Sequence, residues 1–213
     1  MNKAKIIVDR HFEISEIDPR VYGSFAEHMG RCIYGGIYEP GSEYADENGY
    51  RKDVMELVKE LGVTIVRYPG GNFLSGYDWK DGVGPKSERP ARLDLAWHGL
   101  ESNQFGLDEF MVWAEETDIE PMLGVNLGTN GLKEALDLIE YTNVDAQSKW
   151  AQYRVKNGRT EPYDIKVWCL GNEMDGPWQL GHKSASEYAK VAGDVARGMR
   201  QIGEELELVV CGS

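Results

Sequence analysis

Apolar positions in this chain switch repeatedly between two spacings. Val54, Leu57, Val58 and Leu61 fall at i, i+3, i+4 and i+7, which predicts an amphipathic helix that stops at Gly62. Val63 to Tyr68 is a β-branched run closed by Pro69-Gly70-Gly71, and it predicts a strand. Leu107, Phe110, Met111 and Ala114 repeat the helical spacing, Pro121 to Leu127 predicts the next strand, and Leu132, Ala135, Leu136 and Ile139 predict a third helix. Ile165 to Leu170 predicts a strand that runs into Gly171-Asn172-Glu173. Ser184-Ala185-Ser186-Glu187 has the capping-box spacing and opens the most regular helix, whose apolar face continues to Ile202; Leu206 to Cys211 predicts a final strand. Near the start, Val21 to Ala26 predicts a buried strand ending in Glu27-His28-Met29, followed by a loop marked by Gly30, Gly35, Gly36, Pro40 and Gly41. Residues 143–162 predict a polar connector, and the long stretch 74–106, carrying Trp79, Trp97 and His98, predicts a binding loop.

Strand and helix thus alternate four times before a last strand, which predicts an α/β protein with a parallel sheet. A doubly wound sheet ordinarily carries a Gly-rich phosphate turn, but Gly23-Ser24-Phe25-Ala26-Glu27-His28 is not Gly-x-Gly-x-x-Gly and no Gly-x-x-x-x-Gly-Lys-Ser/Thr occurs. A (β/α)8 barrel gathers its chemistry at the carboxyl ends of several strands. Here those ends hold Glu27-His28, Arg67 followed by Asn72, Asn126, and Asn172-Glu173. Ahead of them, Ile6, Val8, Phe12, Ile14 and Ile17 alternate loosely with charges and predict one or two β segments. No antiparallel mate for them is evident, so this arm is expected to pack on something beyond residue 213 or on another subunit.

Composition narrows the functions. The 213 residues carry 23 basic and 36 acidic side chains, a formal charge of −13, which disfavours nucleic acid and anionic membranes and favours a neutral or cationic partner. With 41% hydrophobic residues the chain can bury a core, and six Trp and eleven Tyr offer flat apolar faces for a ligand as well as core filling. Cys32, Cys169 and Cys211 are widely spaced and form no zinc pattern, so they read as reduced, small apolar residues, and no metal or cofactor is expected. Ile6-Ile7-Val8 is too short for a signal-peptide core and no apolar run approaches a membrane span, so the expected location is cytoplasmic.

The residue with the clearest chemical potential is Glu173. A carboxyl group at a strand end beside Trp and apolar neighbours can keep its proton near neutral pH, donate it to a leaving oxygen and take one back from water. A helix-capping or salt-bridging Glu is the competing interpretation. Four segments, in order, carry a family resemblance: Ser24-Phe25-Ala26-Glu27-His28; Arg67-Tyr68-Pro69-Gly70-Gly71-Asn72-Phe73; Asp78-Trp79-Lys80-Asp81-Gly82-Val83-Gly84-Pro85; and Cys169-Leu170-Gly171-Asn172-Glu173-Met174-Asp175-Gly176-Pro177-Trp178-Gln179. Together they resemble the α-L-arabinofuranosidases of glycoside hydrolase family 51.

The resemblance implies a retaining glycosidase that removes terminal non-reducing α-L-arabinofuranosyl groups from arabinan, arabinoxylan or their oligosaccharides. It implies a TIM-barrel fold, represented here by about the first four βα units and a fifth strand over residues 19–213. It also implies that residues 1–18 are an N-terminal β arm belonging to a C-terminal β-sandwich, and that the full-length protein is a homo-oligomer. Glu173 takes the role of general acid/base, and Asn172 holds the sugar 2-hydroxyl. Glu27 and Asn72 resemble the positions that bond other arabinofuranose hydroxyls, and Arg67 the one that orients the catalytic carboxylates. Trp97 resembles a loop aromatic lining the sugar subsite, with a core or exposed-loop role as its alternative. His28 and His98 stand equally open to structural readings, His182 reads as a surface residue, and Asp175 is assigned no role.

A retaining mechanism needs a second carboxylate about 5 Å from the first. In the family it lies on the seventh strand, so the nucleophile is expected outside this chain, which is itself expected to be inactive. A catalytically inactive sugar-binding or assembly fragment is the alternative from another class, and another retaining barrel hydrolase is the alternative within enzymes.

Overall fold

The computed structural model describes residues 2–203 and 205–212. In chain order the elements are β1 (Ser24–Phe25), α1 (Lys52–Leu61), β2 (Ile65–Tyr68), a hairpin of β3 (Arg92–Asp94) and β4 (Gly99–Glu101), α2 (Leu107–Thr117), β5 (Glu120–Val125), α3 (Leu132–Asn143), α4 (Lys149–Lys156), β6 (Val167–Leu170), α5 (Ala185–Ile202) and β7 (Glu207–Val210). Local chemistry sets several boundaries. Gly62, at φ 71°, takes the left-handed turn that ends α1, and the Ser184 hydroxyl with the Glu187 carboxylate forms the expected capping box of α5.

The main sheet has the order β1-β2-β5-β6-β7, and every pair is parallel. Each strand is followed in space by the next one in the chain, with helices in between. A doubly wound sheet reverses its order at a switch point, whereas a barrel adds strands in one direction only, so this is the order of a (β/α)8 barrel through its fifth strand. All four residues of β6 are buried, and Trp168 at its centre is fully enclosed with its indole N–H donated to the Ile165 carbonyl at 3.0 Å.

Beneath the sheet, Arg20 leaves a short 3-10 turn (Pro19–Tyr22) and donates to Glu120 at the start of β5 and Glu207 at the start of β7. The amino ends of two strands that are not neighbours are therefore tied by one guanidinium.

Several expectations need correction. The strand predicted over residues 21–26 shrinks to Ser24–Phe25, because Val21 and Tyr22 belong to the 3-10 turn and the strand pairs on one side only, leaving Val21 72% and Phe25 43% exposed. The β segments predicted between Lys5 and Ile17 form no ladder: with no mate among the described residues, Ile6, Val8, Phe12 and Ile14 lie in solvent. The predicted polar connector contains α4, and the long loop after β2 contains the β3–β4 hairpin. No helix among the described residues is long and apolar enough to cross a membrane.

Truncating Trp168 to Ala should lower the unfolding free energy by about 3–5 kcal/mol, the usual cost of deleting a buried aromatic side chain. Urea titration measures this as a lower midpoint at unchanged slope; a change under about 1 kcal/mol would show that the sheet centre is not packed this way.

Candidate active site

The polar residues singled out in the sequence emerge at one end of the sheet. Glu27 follows β1, Asn72 lies four residues after β2, and Asn172 and Glu173 follow β6 after a single glycine.

Glu27 is buried against the Gly70-Gly71 turn. A Cβ on Gly71 would sit 2.6 Å from Glu27 Oε2, and one on Gly70 only 2.5 Å from its Cγ, so these glycines are what let the carboxylate lie there. Gly70 also has φ 133°, a backbone region that side chains avoid. The Glu27 Oε1 atom accepts the Phe73 backbone N–H and the Trp97 indole N–H, both at 3.0 Å. Trp97 itself sits in the turn of the β3–β4 hairpin, where Asp94 Oδ1 accepts from the N–H groups of Ala96 and Trp97.

Arg67 points both Nη atoms at Asn172 Oδ1, each at 3.2 Å, donates also to the Gly70 carbonyl, and stacks its guanidinium over Phe25 at 4.6 Å. Asn172, 5% exposed, in turn donates from Nδ2 to Asn72 Oδ1 at 3.3 Å. Gln179 Nε2 donates to the same oxygen, and the Ser75 hydroxyl donates to Gln179 Oε1 at 2.7 Å.

The Glu173 side chain is exposed, and its Oε2 accepts the Trp178 indole N–H at 2.9 Å. Its backbone takes φ 41°, a left-handed conformation that costs an L-residue about 1–2 kcal/mol. This turn sends Asn172 inward and Glu173 outward. The apolar enclosure expected around Glu173 is not formed by the described residues, and the polar side chain that Arg67 meets among them is Asn172.

The remaining sequence candidates divide clearly. Asn126 spends its side chain within its own turn, donating to Tyr77 O and Thr129 Oγ1 and accepting from the N–H groups of Gly128 and Thr129. His98 and His182 are exposed. His28 is buried, stacked on Phe73 with ring centres 4.5 Å apart, and bonded through Nδ1 to Glu101 and Nε2 to Tyr68. This pair anchors the hairpin that carries Trp97 to the end of β1. Sequence reasoning assigned no role to Glu101, Ser75, Trp178 or Gln179; only the last two stood inside a quoted motif.

An open cavity of about 580 Å³ lies between the hairpin and the loop after β6, with Asn72, Phe73, Asp94, Trp178 and Gln179 on its wall. Glu27, Arg67 and Asn172 are not on that wall, so the cavity adjoins the polar cluster through Asn72 rather than containing it.

Burial works to raise the Glu101 carboxyl, but the His28 ring, the Tyr34 hydroxyl and the Asn103 N–H outweigh it and hold it below the usual Glu range. A carboxyl lowered by folding adds stability that is present above its unfolded value, about 4.3, and lost as pH falls through the lower folded value. Thermal midpoints measured below about pH 4.3 should therefore fall less steeply for Glu101→Gln than for the wild-type chain; parallel slopes would contradict this assignment.

Comparison with known proteins follows the same residues. A family model described as the alpha-L-arabinofuranosidase 1 domain matches residues 57–212. The chain is 60% identical, over its full length, to an exo-α-(1→6)-L-arabinofuranosidase of Bifidobacterium longum, and 55% identical to an enzyme of Bacillus subtilis named intracellular exo-α-(1→5)-L-arabinofuranosidase 1. It spans 41% and 43% of those two proteins. Among solved structures, a family 51 α-L-arabinofuranosidase of B. longum superposes with a TM-score of 0.90 at 59% identity, covering 92% of this chain and 39% of that one. The thermostable enzyme of Thermotoga petrophila gives 0.92 at 48% identity, covering 93% and 41%. The chain belongs to the α-L-arabinofuranosidases of glycoside hydrolase family 51.

Proposed function

We propose that this chain supplies the acid/base and much of the sugar-binding half of a retaining exo-α-L-arabinofuranosidase acting on terminal arabinofuranosyl groups of arabinan or arabinoxylan. The observation that carries this reading is the hydrogen-bonded line Arg67–Asn172–Asn72 at the ends of two strands, with Glu173 next to Asn172 in the chain. The amides and the buried Glu27 offer donors and acceptors for sugar hydroxyls, and Trp97 offers an indole edge and face beside them. A contact from Asn172 to the 2-hydroxyl is of the kind that strengthens as the ring approaches an oxocarbenium ion.

Glu173 then works in two steps. Trp178 occupies Oε2, so the transferable proton is carried on Oε1. That proton goes to the leaving oxygen as the glycosidic bond breaks, and the resulting carboxylate later removes one from the water that releases the sugar. The nucleophile comes from residues outside this chain. Glu27 is not a substitute, since its Oε1 is already committed to Phe73 N–H and Trp97.

In the same reading, residues 1–18 are a β arm that joins a β-sandwich, residues 19–213 are a portion of the barrel, and the assembled protein is a cytoplasmic homo-oligomer. The exposed apolar side chains of the arm and the intracellular names of several relatives support those parts. A sugar-binding or assembly role without catalysis is the second reading, favoured by the solvent exposure of Glu173.

The purified 213-residue chain should release no 4-nitrophenol from 4-nitrophenyl α-L-arabinofuranoside, and adding a polypeptide with the later strands of a relative should restore hydrolysis. Binding of arabino-oligosaccharides without any such rescue would favour the second reading. In the restored enzyme, Glu173→Ala should slow arabinan cleavage by about 10²–10⁴-fold, and 4-nitrophenyl arabinofuranoside cleavage less, because nitrophenolate leaves without a proton. Equal losses on both substrates would remove the acid role.

A further inference from the structure

The amide line beside the sugar site has a fixed polarity. Arg67 has donors and no acceptor, so the atom of Asn172 it faces must be the oxygen, and the Asn172 NH2 is thereby turned toward Asn72. Asn72 meets that donor with Oδ1, and the same oxygen receives Gln179 Nε2. Gln179 presents its nitrogen to Asn72 while its oxygen accepts from the Ser75 hydroxyl. Gln179 and Ser75 are 2% and 1% exposed, so neither has water as an alternative partner. With its oxygen doubly engaged, Asn72 turns its NH2 away from this line, and Asn72 borders the open cavity.

We propose that Gln179, itself bonded to Ser75, is a positioning residue that holds the Asn72 carboxamide with its NH2 toward the ligand, so that Asn72 donates to a sugar oxygen and does not accept from it. The proposal rests on the arabinofuranoside reading for its ligand and on the hydrogen-bond line for its direction. Gln179 acts through its hydrogen bond to Asn72 Oδ1 and needs no contact with the sugar. The neighbouring Trp178 holds Glu173, so consecutive residues of one loop set the proton donor and the sugar-binding amide.

The decisive variant is Gln179→Glu. Its ionised carboxylate accepts only, so it pulls the Asn72 NH2 toward itself and turns Oδ1 to the ligand; when protonated it is a donor again and restores the original direction. Titration of the 213-residue chain with methyl α-L-arabinofuranoside at pH 7 should show about tenfold weaker binding by Gln179→Glu than by wild type, the size of one lost hydrogen bond. The ratio of the two affinities should return toward one on acidification to about pH 4, near the ordinary carboxyl range. Ser75→Ala, which frees Gln179 to turn over, should weaken binding in the same direction without the recovery in acid, and it serves if Gln179→Glu does not fold. Binding by Gln179→Glu within twofold of wild type at pH 7, or a loss that acid does not reverse, overturns the proposal. If the wild-type chain binds no arabinofuranoside, the functional reading fails, and the amide direction is still decided by NMR. Cross-relaxation between the Asn72 NH2 protons and the Asn172 Nδ2 protons should be stronger in Gln179→Glu than in wild type if Asn72 turns, and an unchanged pattern overturns the proposal.

Discussion

The arrangement of this site depends on one requirement: a partly buried guanidinium that can only donate has to be met by oxygens. Arg67 finds the Gly70 carbonyl and the Asn172 amide oxygen, with the Phe25 ring against its face. Leaving a partly buried cation without partners carries a desolvation cost, which these contacts offset. Once Asn172 has given its oxygen, its NH2 meets Asn72 Oδ1, the same atom that Gln179 Nε2 reaches from the other end of the line. The ends of β2 and β6 are locked together although β5 lies between them. In the proposed reading, the side chains that would meet the sugar also tie these two strand ends together.

A second constraint comes from the sheet itself. Five parallel strands leave β1 and β7 each paired on one side, with Phe25 and Val210 substantially exposed. Open strand edges and uncovered apolar side chains call for further partners. Glu173 is exposed as well: its backbone is left-handed and its carboxylate is held by Trp178. The apolar arm at residues 2–18 adds a second unpartnered surface.

Much of this was legible in the sequence for definite physical reasons. Gly62 ended α1 because only a left-handed residue closes that turn, and Ser184 with Glu187 announced α5 through complementary backbone and side-chain bonds. Asn172 and Glu173 stood out because polar residues directly after a buried run must emerge at a strand end. What escaped has equally definite causes. Helix α4 was hidden by Arg154, a charged residue on its buried face whose guanidinium donates to the carbonyls of Tyr141, Val144 and Thr160. The β3–β4 hairpin pairs Leu93 with Leu100 on an exposed face, so it has no buried alternation to betray it. Glu101 and Gln179 act through residues 73 and 107 positions away, and no local spacing encodes such partners.

The central claim is that half of an arabinofuranose site is already built at the ends of β1, β2 and β6. A crystal structure of the chain soaked with methyl α-L-arabinofuranoside tests it most directly. The account predicts a furanose ring bonded to Glu27, Asn72 and Asn172, with Trp97 beside it and Glu173 nearest the glycosidic oxygen. A sugar seated elsewhere on the molecule, or one whose glycosidic oxygen points away from Glu173, would contradict it.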